Sequence, residues 1–197
     1  MMRRIILLLM VAILLSTISS FAQDKYVRYE VFGGYSLMRA EMYGYTGPQD
    51  ARLTSAFVPP MGNMNGVSAA FVGNVNSVLG IKVEVARGSH NGYEDFSGDT
   101  KSSSYFIMAG PQINGRFEAL PGTLFGHGLF GVKHNRKIYE DGDVNKNYAT
   151  LVLGGGVDWG KGRWGVRAPQ IDYIVDNDGY PNHRFKISAG IVFRFGK

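Results

Sequence analysis

Four histidines are the side chains of this sequence best suited to acid–base catalysis or metal binding, and their surroundings favour neither. None stands in a metal-binding spacing such as HExxH, and His90, His134 and His183 fall in or beside polar segments that we expect to be solvated loops. A nucleophilic serine site needs a histidine and an acid close to the serine, but no serine lies within a few residues of His127 or His134. We therefore predict no catalytic residue, no cofactor, no metal site and no enzymatic activity.

Three further motifs resemble binding loops but lack an essential part. Residues 141–145 (DGDVN) begin like a calcium loop, yet no glutamate stands at the twelfth position. The acidic segment 176–179 (DNDG) is more typical of a turn. Residues 154–156 are three glycines with no helical segment after them, so they do not form a phosphate-binding loop. We expect these glycines to let neighbouring strands or interior side chains pack closely.

The composition excludes several classes of protein. Cysteine is absent, which rules out a disulfide framework and thiol chemistry. The net charge of +5 comes from 21 basic and 16 acidic residues, and the bases are scattered singly among the acids, so no nucleic-acid-binding face is indicated. Beyond the N-terminus no segment is apolar enough for a transmembrane helix. If the body of the chain enters a membrane, it must do so as strands.

The N-terminus has the pattern of an export signal. Two arginines precede an apolar run over residues 5–15, and Ser20-Phe21-Ala22 places small residues three and one positions before Gln23. The run is shorter than the ~20 residues that a membrane-spanning helix needs. We predict a cleaved signal peptide at 1–22 and a single domain at 23–197; the alternative is a membrane anchor that stays attached.

The body of the chain alternates apolar and polar residues with the period of a β-strand. Over residues 184–195, Phe185, Ile187 and Ile191 share one face, and Arg184 and Lys186 lie on the other. No stretch carries a convincing helical period. Eight strands of the length that a tilted membrane strand requires are predicted near 27–36, 66–74, 79–86, 104–117, 123–133, 148–159, 164–175 and 184–195.

The connections between these strands alternate in length. Short ones fall near 74–77, 118–122 and 160–163, and long polar ones near 38–64, 88–103, 134–147 and 176–183. In an up-and-down barrel every second connection lies on the same rim, so one rim has tight turns and the other long loops, as in outer-membrane barrels. The alternative is a water-soluble lipocalin-like barrel, which has no reason to place every long loop at one end.

Aromatic residues and charges then assign the two faces of the strands. Aromatic side chains collect at both ends of the predicted apolar face, as in the interface girdles of membrane barrels, and they include Trp159, Trp164, Phe193 and Phe195 at the turn rim and Tyr35, Tyr105, Tyr173 and Phe185 at the loop rim. The opposite face predicts a polar network in a lumen that side chains fill. Its residues are Arg28, Glu30, Lys82, Glu84, Asp158, Arg167, Asp172, Lys186 and Arg194.

Two strands, 164–175 and 123–133, depart from simple alternation. Strict alternation in 164–175 would turn Gln170 and Asp172 toward lipid, so we predict a β-bulge at Pro169, which cannot donate to the ladder. In 123–133 the phase stays open, because placing His127 inside also places Phe125 there.

The last strand, 185–195 (FKISAGIVFRF), resembles the closing strand of the OmpA/OmpX-like outer-membrane barrels, and 31–36 (VFGGYS) resembles their opening strand. The resemblance covers the whole mature chain. It implies an eight-stranded antiparallel up-and-down transmembrane β-barrel in the outer membrane. It also implies that Phe193 and Phe195 form the signal recognised by the barrel-assembly machinery, although Gly196 and Lys197 follow them.

These features predict an integral outer-membrane protein with a structural, adhesion or partner-binding role through long extracellular loops. The alternatives are a lipid A-modifying barrel enzyme and a narrow pore. The expected partners are outer-membrane lipid, the assembly machinery and an extracellular ligand, but no nucleic acid, and we expect a monomer.

Overall fold

The computed structural model of the chain describes residues 26–40, 63–95, 98–116, 122–139, 142–160, 162–177 and 181–196. The predicted signal peptide at 1–22 lies outside the described residues. Within the described ranges, no helix has the length and apolar character needed to cross a membrane.

The described residues form eight antiparallel strands that close into one barrel. Each strand pairs with its neighbours in sequence, and β1 closes on β8 through pairs such as Glu30 with Arg194 and Gly34 with Gly190. This confirms the predicted all-β up-and-down barrel. The strands are β1 (Tyr29–Ala40), β2 (Asn63–Asn74), β3 (Leu79–Asp95), β4 (Gly98–Arg116), β5 (Gly122–Tyr139), β6 (Gly142–Trp159), β7 (Trp164–Asn177) and β8 (Pro181–Phe195).

The two faces of the barrel wall differ in polarity, because successive side chains of a strand point to opposite faces. The outer surface exposes large apolar side chains, and Ile107, Phe130 and Trp164 are each about 65% exposed. The interior holds Lys82 and Glu84, whose side chains are fully buried. A water-soluble barrel buries its apolar face, so the inverted distribution excludes the lipocalin-like alternative and fits a barrel that spans a lipid bilayer.

The two ends of the barrel differ in strand length, and this corrects three of the predicted loops. We call the end with the 75–78 and 160–163 turns the turn side, and the opposite end the loop side. On the loop side most of the segments 88–103, 134–147 and 176–183, predicted as loops, are paired strand. In the three extended hairpins β3 ends at Asp95 and β4 begins at Gly98, β5 ends at Tyr139 and β6 begins at Gly142, and β7 ends at Asn177 and β8 begins at Pro181. Residues 41–62, which make up most of the fourth predicted loop (38–64), lie outside the described residues.

The reason for this error is the loss of alternation outside the membrane. A strand alternates only while one face meets lipid and the other meets the interior. Where both faces meet water, polar residues occupy both, although the ladder of backbone hydrogen bonds continues. Polar composition therefore indicated loops in segments where the chain still forms hairpins.

The β-bulge predicted at Pro169 is present in β7. The register of β7 against β8 shifts between Arg167 and Gln170, and that of β6 against β7 shifts between Gly156 and Asp158. Arg167 and Gln170 both point inward as a result and are fully buried.

The phase of β5, which the sequence left open, places odd-numbered residues inside. Phe125, His127, Leu129 and Lys133 are buried, whereas Phe130 faces outward. The interior accepts these two apolar side chains because Phe125 stacks on the Arg167 guanidinium and Leu129 packs in a layer of apolar groups.

Candidate functional site

The candidate functional site is the barrel interior, where the sequence predicted a polar network. Eight of the nine predicted residues are buried there, namely Glu30, Lys82, Glu84, Asp158, Arg167, Asp172, Lys186 and Arg194. Arg28 is the exception and corrects the prediction, because its side chain is exposed. It precedes β1 at the turn-side rim, where its backbone N–H donates to Gly196 O at 2.7 Å, and its charge therefore meets water instead of the interior.

A group that we call the central cluster lies midway along the barrel: Lys82, Glu84, His127, Asp172 and Lys186. Lys82 Nζ lies 2.7 Å from Glu84 Oε2, and Lys186 donates to Glu84 Oε1. Lys186 Nζ also lies 3.0 Å from Asp172 Oδ2. Two lysines thus balance two carboxylates, which is the condition under which buried charges are tolerated.

His127 joins this cluster through Asp172, and a glycine makes the approach possible. His127 Nε2 lies 3.0 Å from Asp172 Oδ1, and Gly154 stands between the two residues in the register. A Cβ at Gly154 would come within 2.7 Å of Ile171 O and closer still to the Asp172 carboxylate. A Cβ at Gly156 would meet the Phe125 ring at 2.9 Å. The glycine run therefore allows close packing, as predicted.

A second group, the turn-side cluster, contains Glu30, Asp158, Arg167 and Arg194. Arg167 donates two hydrogen bonds to the Asp158 carboxylate, from Nε at 2.7 Å and from Nη2 at 2.9 Å. Arg194 Nη2 lies 3.4 Å from the same carboxylate, and Arg167 Nη2 lies 3.8 Å from Glu30 Oε2. Two bases again balance two acids.

Arg167 is also held between two aromatic rings. Its guanidinium carbon lies 4.1 Å from the centre of the Phe125 ring and 4.9 Å from that of Phe32. A planar guanidinium stacks favourably on aromatic faces while its edge donates hydrogen bonds. The interior position of Phe125, which made the phase of β5 ambiguous in the sequence, is explained by this contact.

A chain of amide side chains, which the sequence did not predict, joins the turn-side cluster. Gln112 Nε2 donates to Asn114 Oδ1 at 2.8 Å, and Asn114 Nδ2 donates to Asn74 Oδ1 at 3.0 Å. Asn74 Nδ2 in turn donates to Glu30 Oε1 at 3.2 Å. The inward parity of Gln112 and Asn114 on their strand was the signal that could have found them.

A third group, the loop-side cluster, contains Lys133, Asp176 and Arg184. Lys133 donates to Asp176 Oδ2, and Arg184 Nη1 lies 3.7 Å from the same oxygen. The Tyr148 ring centre lies 5.2 Å from Lys133 Nζ. Lys133 and Arg184 stand at the ends of two predicted strands, but Asp176 falls in the segment 176–183 that was predicted as a loop, so the sequence did not indicate this cluster. It lies where the predicted strands pass into the extended part of the hairpins.

An apolar layer separates the loop-side cluster from the central one. On β5 Leu129 lies between His127 and Lys133, and on β7 Ile174 lies between Asp172 and Asp176. The layer consists of Met38, Met64, Ala86, Phe106, Met108, Leu129, Val152 and Ile174, all less than 10% exposed. Packed apolar side chains offer no partner to water, so this layer, to which β1 to β7 contribute, opposes a polar path along the lumen.

The central cluster also contains the described residues best placed to hold a metal ion. Glu84, His127 and Asp172 can each offer one ligand atom, and these atoms lie within 4.8 Å of one another. Both carboxylates, however, already pair with Lys82 or Lys186. A divalent cation would have to displace two ammonium groups from a charge-balanced cluster, so the donor set does not fit a metal ion.

The histidines do not form a nucleophilic site among the described side chains. His127 is enclosed in the interior, and its described partner is Asp172. His134 Nδ1 lies 2.7 Å from Asn147 Oδ1, and His183 bonds to the Tyr173 hydroxyl. The side chain of His90 lies outside the described set.

The predicted assembly-signal residues lie on the outer surface at the turn side. The rings of Phe193 and Phe195 stack at 5.8 Å. The ring centre of Phe193 lies 4.7 Å from that of Trp164, and the ring centre of Phe195 lies 5.4 Å from that of Tyr29. Tyr29 stacks on Phe71 at 5.9 Å. The aromatic girdle therefore crosses the seam between β1 and β8.

No protein-family model and no curated protein matches the sequence. Ail of Yersinia pestis, the attachment invasion locus protein, is similar in structure with a TM-score of 0.56 and 17% identity, covering 86% of this chain and all of that one. The Neisserial surface protein A has a TM-score of 0.60 and 14% identity, covering 85% of this chain and 97% of that one.

A third similar structure is the outer membrane protein OprG of Pseudomonas aeruginosa, with a TM-score of 0.53 and 8% identity over 88% of this chain and 98% of that one. At these identities the similarity concerns the fold. The strand number, the closed antiparallel topology and the inverted polarity agree with the resemblance found in the sequence. The chain has the fold of the small, OmpA/OmpX-like outer-membrane β-barrels.

Proposed function

We propose that this chain is an integral outer-membrane protein with a closed barrel and a non-enzymatic role in structure, adhesion or partner binding. The observation that carries the proposal is the inverted polarity of the wall, with a continuous apolar exterior around paired interior charges. Such a surface is stable in lipid and would aggregate in water. Its aromatic girdle at the turn side suits a membrane interface.

The closed lumen is the reason to favour this role over a narrow pore. Three charged clusters and the apolar layer fill the interior, and the largest side chains there are almost completely buried. The non-enzymatic role is supported by the position of His127, which the barrel wall separates from lipid. Partner binding would then use the extended hairpins of the loop side. Ail, a barrel of similar fold, has been crystallised with the heparin analogue sucrose octasulfate, so a ligand outside the membrane is a reasonable expectation here as well.

Membrane fractionation with a heat-modifiability gel tests the location. We expect the protein in the outer-membrane fraction, starting at Gln23, with unboiled samples migrating differently from boiled ones because a closed barrel resists detergent. Recovery of the protein from the soluble periplasm would refute the proposal. Planar bilayers test closure independently, since the purified protein should show no steady conductance.

A further inference from the structure

Along β3 to β6 the outward side chains change from apolar to polar at a single register row. The last apolar residues before the loop side are all exposed, namely Val85, Ile107, Val132 and Ala149. The next outward residue of each strand pairs directly with that of the neighbouring strand, and we call these four residues the boundary row: Arg87, Tyr105, His134 and Asn147. The lipid-facing surface on this side of the barrel therefore ends at the boundary row.

The length of the apolar stretch places the boundary row at the surface of the membrane. On β5 the outward apolar stretch runs from Leu124 to Val132, which is nine residues, and a tilted strand needs about 9–11 residues to cross a bilayer. Tyr105 is of the residue type that collects at membrane interfaces. The charge of Arg87 therefore lies at the depth of the lipid headgroups.

Arg87 carries the permanent charge of the boundary row, and Tyr105 supports it. The Arg87 guanidinium carbon lies 5.2 Å from the centre of the Tyr105 ring, and a guanidinium stacked on an aromatic face keeps its N–H groups for hydrogen bonds. The Arg87 side chain is exposed. Its direct partners in the register, Val67 and Tyr105, are uncharged. An anionic headgroup next to the wall therefore meets a positioned donor.

Contacts within the boundary row keep this arrangement in place. The ring centres of Tyr105 and His134 lie 6.4 Å apart, and His134 Nδ1 lies 2.7 Å from Asn147 Oδ1. Side chains that are already ordered lose less freedom when a ligand binds. Arg136, which lies farther toward the loop side, differs from Arg87, because it donates two hydrogen bonds to the Asp143 carboxylate and its charge is compensated within the protein.

We propose that the boundary row binds the phosphate group of an anionic lipid in the leaflet on the loop side, with Arg87 as the phosphate-binding residue. A guanidinium can donate two parallel hydrogen bonds to one phosphate. Tyr105 is a positioning residue, because it holds the guanidinium at the height of the headgroups. The acyl chains of the same lipid lie along Val85 and Ile107, so a free phosphate ion is a poorer ligand. The inference rests on the proposed membrane location and deepens it by assigning a lipid class and a position.

The test is thermal unfolding of the purified protein in dodecyl maltoside, a detergent without phosphate, followed by the heat-modifiable gel shift. Dioleoyl phosphatidic acid, whose headgroup is a phosphate monoester, is titrated into the micelles, and dioleoyl phosphatidylcholine and sodium phosphate are titrated separately. We expect phosphatidic acid to raise the midpoint saturably, with an apparent affinity at least about fivefold above that of phosphatidylcholine. Equal curves for the two lipids would overturn the proposal. An equal response to sodium phosphate would overturn the assignment to a lipid.

The decisive variant is Arg87→Gln, which should fold like the parent protein because Arg87 is exposed. Its apparent affinity for phosphatidic acid should fall about fivefold. Two arginines serve as controls: Arg136→Gln removes a compensated charge on the loop side, and Arg163→Gln removes an exposed charge on the turn side. Both controls should respond like the parent protein. An unchanged response in Arg87→Gln, or an equal loss in Arg163→Gln, would refute the site.

A second variant tests the positioning role while keeping the charge. Tyr105→Leu removes the ring on which the Arg87 guanidinium lies, so the affinity for phosphatidic acid should fall although Arg87 is intact. An undiminished affinity in Tyr105→Leu would refute the role of Tyr105. These assays measure lipid binding by a folded barrel whose gel shift is observed in the same samples. Their failure is therefore distinguishable from a failure of membrane localisation or closure.

Discussion

Glu84 pairs with two buried lysines, and it illustrates how single residues stabilise this interior. Removing it would leave Lys82 and Lys186 in the barrel with Asp172 as their remaining carboxylate in the central cluster. Breaking a buried ion pair at one partner costs far more than losing an exposed pair, because a charge stays behind without compensation.

We expect Glu84→Ala to lower the free energy of unfolding by about 3 kcal/mol, measured by urea unfolding in detergent or bilayers. Arg136→Ala is the matched control, because the Arg136–Asp143 pair is exposed; it should cost under ~1 kcal/mol. Equal losses for the two variants would show that the central cluster is not an energetically coupled buried network.

Gly154 is the residue that brings His127 and Asp172 together. Since a Cβ there would lie 2.7 Å from the carbonyl oxygen of Ile171, Gly154→Ala must displace β7 or the Asp172 side chain. We expect a loss of about 1–3 kcal/mol in unfolding free energy from overpacking.

Gly33→Ala provides the comparison for that variant. A Cβ at Gly33 meets nothing within 4 Å. The unfolding free energy of Gly33→Ala should therefore differ from that of the parent protein by less than ~0.5 kcal/mol. If Gly154→Ala were equally harmless, close packing across the glycine run would not matter to the interior.

At the scale of the element, β8 combines a structural and a biogenesis role. It closes the barrel against β1, and its outward Phe193 and Phe195 belong to the aromatic girdle. The resemblance to OmpA/OmpX-like barrels implies that the same residues present the assembly signal. The two roles differ in consequence, because a packing contact is needed wherever the barrel folds, whereas a recognition signal is needed only in the cell.

We therefore expect Phe195→Ser to leave unassembled, protease-sensitive chain in cells while the purified variant still refolds into detergent micelles. Phe130→Ser is the control, because Phe130 is a lipid-facing residue of β5 that is 65% exposed and lies outside the closing strand. It should reach the membrane. Normal cellular assembly of Phe195→Ser would contradict the role of Phe195 in the signal.

On the scale of the whole molecule, the apolar layer is what separates two polar halves of the lumen. Hydrophobic constrictions block conduction by excluding water, and the clusters on either side are already polar. The layer is therefore the apolar barrier between the loop-side and central clusters, whereas the charged clusters fill the rest of the lumen.

The double variant Met108→Ser with Leu129→Ser replaces two fully buried members of the layer by smaller polar groups. We expect this variant to lower the unfolding free energy by more than about 2 kcal/mol without steady conductance in planar bilayers, because the central and turn-side clusters still fill the lumen. Val132→Ser, which changes the outer face of the same β5, should cost less. Steady conductance of the parent protein or of the double variant would show instead that the lumen is open.

The sequence by itself determined the strand number, the up-and-down order and the polarity of the wall. A strand that separates lipid from an interior alternates apolar and polar residues with period 2. The pattern therefore assigns residues such as Ile187 and Lys186 to opposite faces of β8. The bulge at Pro169 was also readable, because Pro169 cannot donate to the ladder and Gln170 had to turn inward.

The tertiary structure alone decided which interior groups meet. His127 reaches Asp172 across Gly154, and Lys133 reaches Asp176 across strands β5 and β7, through registers that a local pattern does not contain. The phase of β5 was equally nonlocal, because Phe125 is stabilised inside by the Arg167 guanidinium from another strand. Where both faces of a hairpin meet water the periodic signal vanishes, and only the paired backbone shows that the strand continues.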